Sequence, residues 1–195
     1  VQDEEKAESL EDYVPREKIA VLGSPKADRL LKLEKMRDEI VETWIPREWR
    51  DRIKGKKVIL YNISLSGILQ NSKTAMDKIR YVLSQFEGRE GVILWWRPHP
   101  LTEATLKSMR PALYAEYMRI KREFVRKGYG ILDETGDAGA AAVVADAYLG
   151  ENSSSLVCYF EVLGKPIYFT NWSIMEEMAE EDRAGLFFTD CYFEG

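Results

Sequence analysis

Short apolar runs alternate with longer amphipathic ones from Ile19 onward. The runs KIAVLG (18–23), KKVILYNIS (56–64), GVILWWRP (91–98), YGILDE (129–134), DAYLG (146–150), KPIYFTN (165–171) and GLFFTD (185–190) have apolar residues at successive positions. Strands buried on both faces read this way. In ADRLLKLEKMRDEIVETW (27–44), Leu30, Leu31, Leu33, Ile40 and Val41 recur near helical spacing among charged residues. IPREWRDRIKG (45–55) reads as a short helix opened by Pro46 and stopped at Gly55. GILQNSKTAMDKIRYVLSQF (67–86) is amphipathic, and TEATLKSMRPALYAEYMRIKREFVRKG (102–128) is one or two helices interrupted at Pro111. Shorter helices are expected over 138–144, 153–164 and 174–184.

Strands that alternate with helices in this way build a parallel sheet with helices on both faces, so the fold class is α/β, Rossmann-like. Right-handed crossovers then bring the C-terminal ends of the strands to one edge, where such sheets bind ligands. Four polar loops are expected there: NISLSG (62–67), RPHPLT (97–102), GENSSS (150–155) and TNWS (170–173). The acidic, weakly periodic residues 1–18 read as a linker with one helical turn at most, and 19–195 as the Rossmann-like domain. An opening without Met in VQDEEKAESLEDYV suggests a piece of a longer protein.

Composition narrows the function. The chain has 195 residues, 45% hydrophobic and 31% charged, with a formal net charge of −5. No basic stripe is available for a phosphate backbone, which argues against nucleic acid as a partner. Two cysteines and one histidine, without metal-ligand spacing, support neither a disulfide framework nor a zinc site, and a reducing cytoplasm fits. No apolar run approaches the ~18 residues of a membrane span.

Two loops carry the strongest candidate chemistry. In GENSSS, Gly150 permits a tight turn, and Asn152, Ser153, Ser154 and Ser155 offer hydroxyls and N–H groups at the start of a helix. Such an arrangement outlines a phosphate cradle, with plain helix capping as the alternative. In WWRPHPLT, His99 is the chain's single histidine, stiffened by Pro98 and Pro100 at a strand end. It is placed to donate a proton or a hydrogen bond to a departing phosphate. A structural histidine is the alternative. Arg97 would add a charge-assisted contact. Asn62, Ser64, Ser66 and Gly67 would contact substrate or form a simple turn, and Lys165 is a donor-binding candidate or a solvated helix-end charge. Of Trp95 and Trp96, which point to opposite faces of one strand, at least one belongs to the core.

The series VLGSPKADRLL, KVILYN, LWWRPHPL, DETGDAGAAAVVADAYLGENSSS and LGKPIYF, in this order over about residues 19 to 170, resembles the C-terminal half of the CDP-glycerol glycerophosphotransferases, the teichoic-acid polymerase type. The resemblance implies a GT-B fold in which this half holds a nucleotide diphosphate donor such as CDP-glycerol. It implies that His99 contacts the donor diphosphate as the catalytic residue and that Ser154 and Ser155 hold phosphate oxygens. It also implies an N-terminal acceptor domain beyond this chain and no metal or other cofactor. In the full-length protein, a cytoplasmic location at the inner membrane face, with peripheral membrane association, would follow. Two features depart from the pattern, the length, which leaves no N-terminal acceptor domain, and the helix after the serines. Tyr159 stands where the family has an acid, with Glu161 the nearest carboxylate, and Cys158 and Tyr159 stand where related epimerases carry a ribose-binding glutamate pair. A non-catalytic scaffold module and an epimerase-like nucleotide-sugar enzyme are the alternative readings.

Overall fold

The computed structural model describes residues 3–70 and 72–170. The helix and strand expected at 174–184 and 185–190, and most of the loop 170–173, lie outside the described residues. Five strands form one parallel sheet: β1 (Lys57–Asn62), β2 (Val92–Trp96), β3 (Gly130–Leu132), β4 (Ala147–Gly150) and β5 (Ile167–Phe169), in the order β3-β2-β1-β4-β5. The expected doubly covered α/β sheet is therefore present.

Alternating residues of these strands enter two separate cores. Val58, Leu60, Ile93, Trp95, Ile131 and Tyr148 face one helical layer: α2 (Pro25–Lys35), α3 (Arg37–Thr43), α4 (Arg47–Ile53), α9 (Ala138–Val144) and α10 (Val157–Val162). Tyr61, Leu94, Trp96 and Leu149 face the other: α5 (Leu65–Gln70), α6 (Ser72–Ser84), α7 (Thr102–Met109) and α8 (Pro111–Lys127). Both tryptophans of β2 are core residues. Trp95 meets Trp49 edge-on at 5.4 Å, and Trp96 meets Phe124 edge-on at 5.4 Å on the opposite face. The short helix α1 (Glu4–Glu8) and a 3₁₀ turn, Arg16–Lys18, precede these layers.

Three expectations need correction. The run 19–23 is not a strand among the described residues: Leu22 is 84% exposed, and Gly23 at φ +80° turns the chain toward Ser24, the N-cap of α2. The helix over 27–44 is two, because Met36 at φ −107° and ψ 18° leaves the helical region. The helix over 153–164 begins only at Val157, so the serines lie in a turn before it.

Helix α9 leads into β4 and is capped by Asp137, whose carboxylate accepts from Ala140 N–H at 3.0 Å and meets Arg29 at 2.7 Å. Burial opposes ionisation of Asp137, but the Arg29 guanidinium and the N–H groups of Ala140 and Gly139 outweigh it and hold the carboxyl below its ordinary value. A depressed carboxyl contributes stability above the unfolded pKa, about 3.9, and loses it as pH falls through the folded value. Asp137→Ala should therefore cost ~1 kcal/mol in urea unfolding at neutral pH. The gap to the parent should narrow below about pH 4; an undiminished gap there would contradict this role for the carboxylate.

Candidate functional site

The order β3-β2-β1-β4-β5 places the switch point of the sheet between β1 and β4, whose following connections run to opposite sides. Asn62 ends β1 and is paired in register with Gly150, which ends β4. A Cβ on Gly150 would collide with the Asn62 carbonyl and the Tyr148 side chain, so glycine is required there for close approach. Asn62 is 6% exposed and uses both ends of its amide. Its Nδ2 donates to the Arg97 carbonyl at 2.7 Å, and its Oδ1 accepts from Ser154 Oγ at 2.8 Å. One side chain thus joins the loops after β1, β2 and β4.

A second link lies beside it. The Glu151 carboxylate accepts from Ser64 N–H at 3.0 Å, from the Ser64 hydroxyl, and from Lys78 Nζ at 3.1 Å. The side chains of Lys78 and Glu151 are only 5% and 14% exposed. Ser64 Oγ in turn accepts from Gly67 N–H at 3.0 Å and Ser153 Oγ at 3.2 Å. A Cβ on Gly67 would overlap the Glu151 carboxylate. Sequence reading quoted Glu151 without assigning it and passed over Lys78. The available signal was a lysine sharing a helix face with Ala75, Ile79 and Val82, all of them buried.

The serine turn is partly used for its own folding. Ser154 N–H bonds to Glu151 O at 3.2 Å, Val157 N–H to Ser154 O at 3.1 Å, and Leu156 N–H to Ser154 Oγ at 3.3 Å. Among the described residues the N–H groups of Asn152, Ser153 and Ser155 have no hydrogen-bond partner, and all three residues are exposed. Beside them Ser155, Cys158, Tyr159 and Glu161 line one wall of a cavity of about 380 Å³, and Ser24 and Lys26 line the other. The turn therefore leaves three exposed backbone donors open within four residues, the kind of group an anion nest uses, with Ser155 at a sizeable pocket.

The other candidates are divided. His99 is half-buried at a separate cleft, and its Nδ1 accepts from Leu101 N–H at 3.2 Å. When neutral, the ring then carries its proton on Nε2. Arg97 contributes its carbonyl to the site, whereas its guanidinium is buried against Asp133 and donates to Thr135 O at 2.6 Å. The expected phosphate contact from that guanidinium is thus not made by the side chain as placed, because Asp133 at the end of β3 captures it. Lys165 is likewise committed, donating to the carbonyls of Ala142 at 3.1 Å and Val143 at 2.6 Å and pairing with Glu34. Burial lowers its pKa.

No family model matches the chain, and no curated protein matches it in sequence. Solved structures do match. The fold is similar to that of the wall teichoic acid polymerase TagF. Against TagF the TM-score is 0.54 at 17% identity over 87% of this chain, and against two of its single-histidine variants 0.52 and 0.54 at 18% and 16% identity. The chain spans about two fifths of TagF, 38% to 42% of its length.

Removing one partner of a buried ion pair costs on the order of 3 kcal/mol. Glu151→Ala withdraws the carboxylate from Lys78 and Ser64 together, so urea unfolding should show a loss of about that size. A change within about 0.5 kcal/mol, as at an ordinary surface position, would mean the two loops are not joined through Glu151.

Proposed function

We propose that this chain is the donor-holding half of a GT-B-type transferase that moves glycerophosphate or a sugar-like group from a nucleotide diphosphate donor, CDP-glycerol-like, to a cell-envelope acceptor. The observation that carries the reading is the turn 152–155, with three N–H groups unpartnered at the switch point of the sheet. Similarity in fold to a wall teichoic acid polymerase supports it.

In this reading the N–H groups of Asn152, Ser153 and Ser155 and the hydroxyls of the turn hold the donor diphosphate. The nucleoside lies in the neighbouring cavity along Tyr159 and Glu161. An acceptor hydroxyl, deprotonated by a base from the acceptor-binding half, bonds to the transferred group. The bond from that group to the departing nucleotide phosphate breaks, and its electron pair leaves with the phosphate. Preorganised N–H donors suit that growing charge. His99 meets it with the Nε2 proton, which the Leu101 N–H on Nδ1 fixes in place. The scheme is written without a metal ion. No helix among the described residues is long and apolar enough to cross a membrane, so contact with the envelope is assigned to the full-length protein and its location at the inner face.

Ser155 offers the cleaner test of the cradle, because Ser154 also anchors Asn62. Ser155→Ala should weaken CDP or UDP binding by ~1 kcal/mol with an unchanged melting temperature, whereas Ser154→Ala should lower both affinity and stability. Amide shifts at 150–156 during nucleotide titration are the readout. Neither nucleotide moving those amides in the parent would sink the proposal.

His99→Ala is tested in the full-length protein, where turnover can be measured. The chemical step should slow by about 10²- to 10⁴-fold while donor affinity changes little. An unchanged rate with an intact melting transition would remove His99 from the mechanism.

A further inference from the structure

The formal net charge of −5 conceals a segregation of charge. Over residues 102–127, which hold α7 and α8, seven Lys or Arg are set against three Glu, so this stretch carries +4. Arg119, Arg122 and Arg126 stand three and four residues apart on one exposed stripe of α8. Arg122 and Arg126, like Lys107 of α7, have no hydrogen-bond or ion-pair partner among the described residues, and Arg119 comes only within 4.0 Å of Glu116. The acids of α8 turn to another flank, where Glu116 pairs with Arg80 of α6 and Glu123 with Lys127. A basic stripe that the overall charge argues against is therefore present on one face.

Apolar groups share that surface. Leu101, Met109 and Val125 are each more than half exposed. Val125 and the half-buried Met118 border the arginine stripe on the flank of Lys121, whose Nζ bonds Glu103 of α7. Helix α7, capped by Leu101 and ending at Met109, thus continues the surface on that side.

We propose that the outer face of α7 and α8 docks on an anionic lipid bilayer. Cations interleaved with large exposed apolar residues make an interfacial surface: the cations meet lipid phosphates, and the apolar side chains enter the headgroup boundary. A nucleic-acid backbone would use the arginines but leave Leu101, Met109 and Val125 in water. An apolar protein partner would bury the arginines without counter-charges. Contact of this kind needs no spanning helix. The acidic run of residues 3–12 does not oppose it, because it opens at Asp3 beside α2 and α10, in the layer across the sheet. Two layer spacings put that point on the order of 20 Å from α8, against a Debye length of about 8 Å at physiological salt. Docking this way brings the C-terminal edge of the sheet to the bilayer, since the His99 loop leads directly into α7.

The test is cosedimentation of the 195-residue chain with lipid vesicles. Vesicles of mixed phosphatidylcholine and phosphatidylglycerol should bind it, pure phosphatidylcholine should not, and added salt should release it. Each cation at an anionic surface is worth about fivefold in partitioning, so Arg119→Gln with Arg122→Gln and Arg126→Gln should weaken binding by on the order of a hundredfold. Met109→Ser with Val125→Ser should weaken it and leave its salt dependence in place. All five positions are exposed, so both variants should melt with the parent. No uptake by the mixed vesicles, equal uptake by pure phosphatidylcholine, or undiminished binding of the arginine variant would overturn the proposal. Dispensable Met109 and Val125, with tighter retention on a duplex DNA oligomer than on vesicles, would make the stripe a nucleic-acid site and overturn it as well. Nucleotide titration reads other residues, so failure here leaves the transferase reading standing, and the reverse holds too.

Discussion

Glu151 stands where the chain leaves β4, and its carboxylate receives Lys78 from α6 together with the N–H and hydroxyl of Ser64. Withdrawing these two charges from water costs several kcal/mol each, and their mutual attraction offsets that only with good geometry and further hydrogen bonds. Ser64 supplies those bonds. The gain is positional, because three points on the β1–β2 crossover are held to one carboxylate at the start of the β4–β5 crossover. Its demands extend to Gly67, where any side chain would overlap the carboxylate. Asn62 extends the same linkage to the loop after β2 through the Arg97 carbonyl. The serine turn and the His99 loop are therefore placed by a shared polar frame, which a merely apolar contact between loops would not align.

Within that frame the polar residues fall into two groups according to whether their hydrogen-bonding capacity is already met. Arg97 and Lys165 carry the charges a sequence reading associates with phosphate, yet each is saturated by partners inside the fold, Arg97 by Asp133 and Thr135 and Lys165 by helix carbonyls and Glu34. The smaller groups remain available: the N–H groups of the serine turn, which are exposed. Buried ionised side chains need partners to exist at all, so the fold claims them first. Ligand contact is left to backbone amides and hydroxyls, which remain neutral when no ligand is present. An edge built this way does not repel itself when empty.

The alternation of apolar runs and amphipathic stretches was sufficient to read the parallel sheet, because each strand is buried on both faces and each long helix has one apolar stripe. It failed at 19–23, where Gly23 at positive φ turns an apolar run with an exposed Leu22 toward the cap of α2, and at Met36, where a helical spacing of leucines continues across a break in the backbone. The loops of the site were legible for the same topological reason, since right-handed crossovers dictate which ends meet. Side-chain allegiance was not. Lys165 follows a helix-ending glycine and could have faced solvent, but the carbonyls at the end of α9 lie across from it and accept its ammonium. Such a pairing joins positions far apart in the chain, and local pattern holds no trace of it.

Cavity size alone would misdirect the search for function in this molecule. One opening, about 530 Å³, lies at the N-terminal ends of the strands and is lined by Arg37, Lys57 and Asp146. Its charges are already matched. Asp146 accepts from Val58 N–H at 2.8 Å and has Arg37 and Lys57 near its other oxygen, while Arg37 donates to the carbonyls of Val143 and Val144. A guest there would have to displace bonds that hold the end of α9 against the sheet. At the C-terminal edge the opening beside the serine turn is smaller, but exposed N–H groups stand there without partners among the described residues, and a guest would complete hydrogen bonds instead of breaking them. Unmet hydrogen-bonding capacity, not volume, therefore separates the binding edge of this sheet from the structural one.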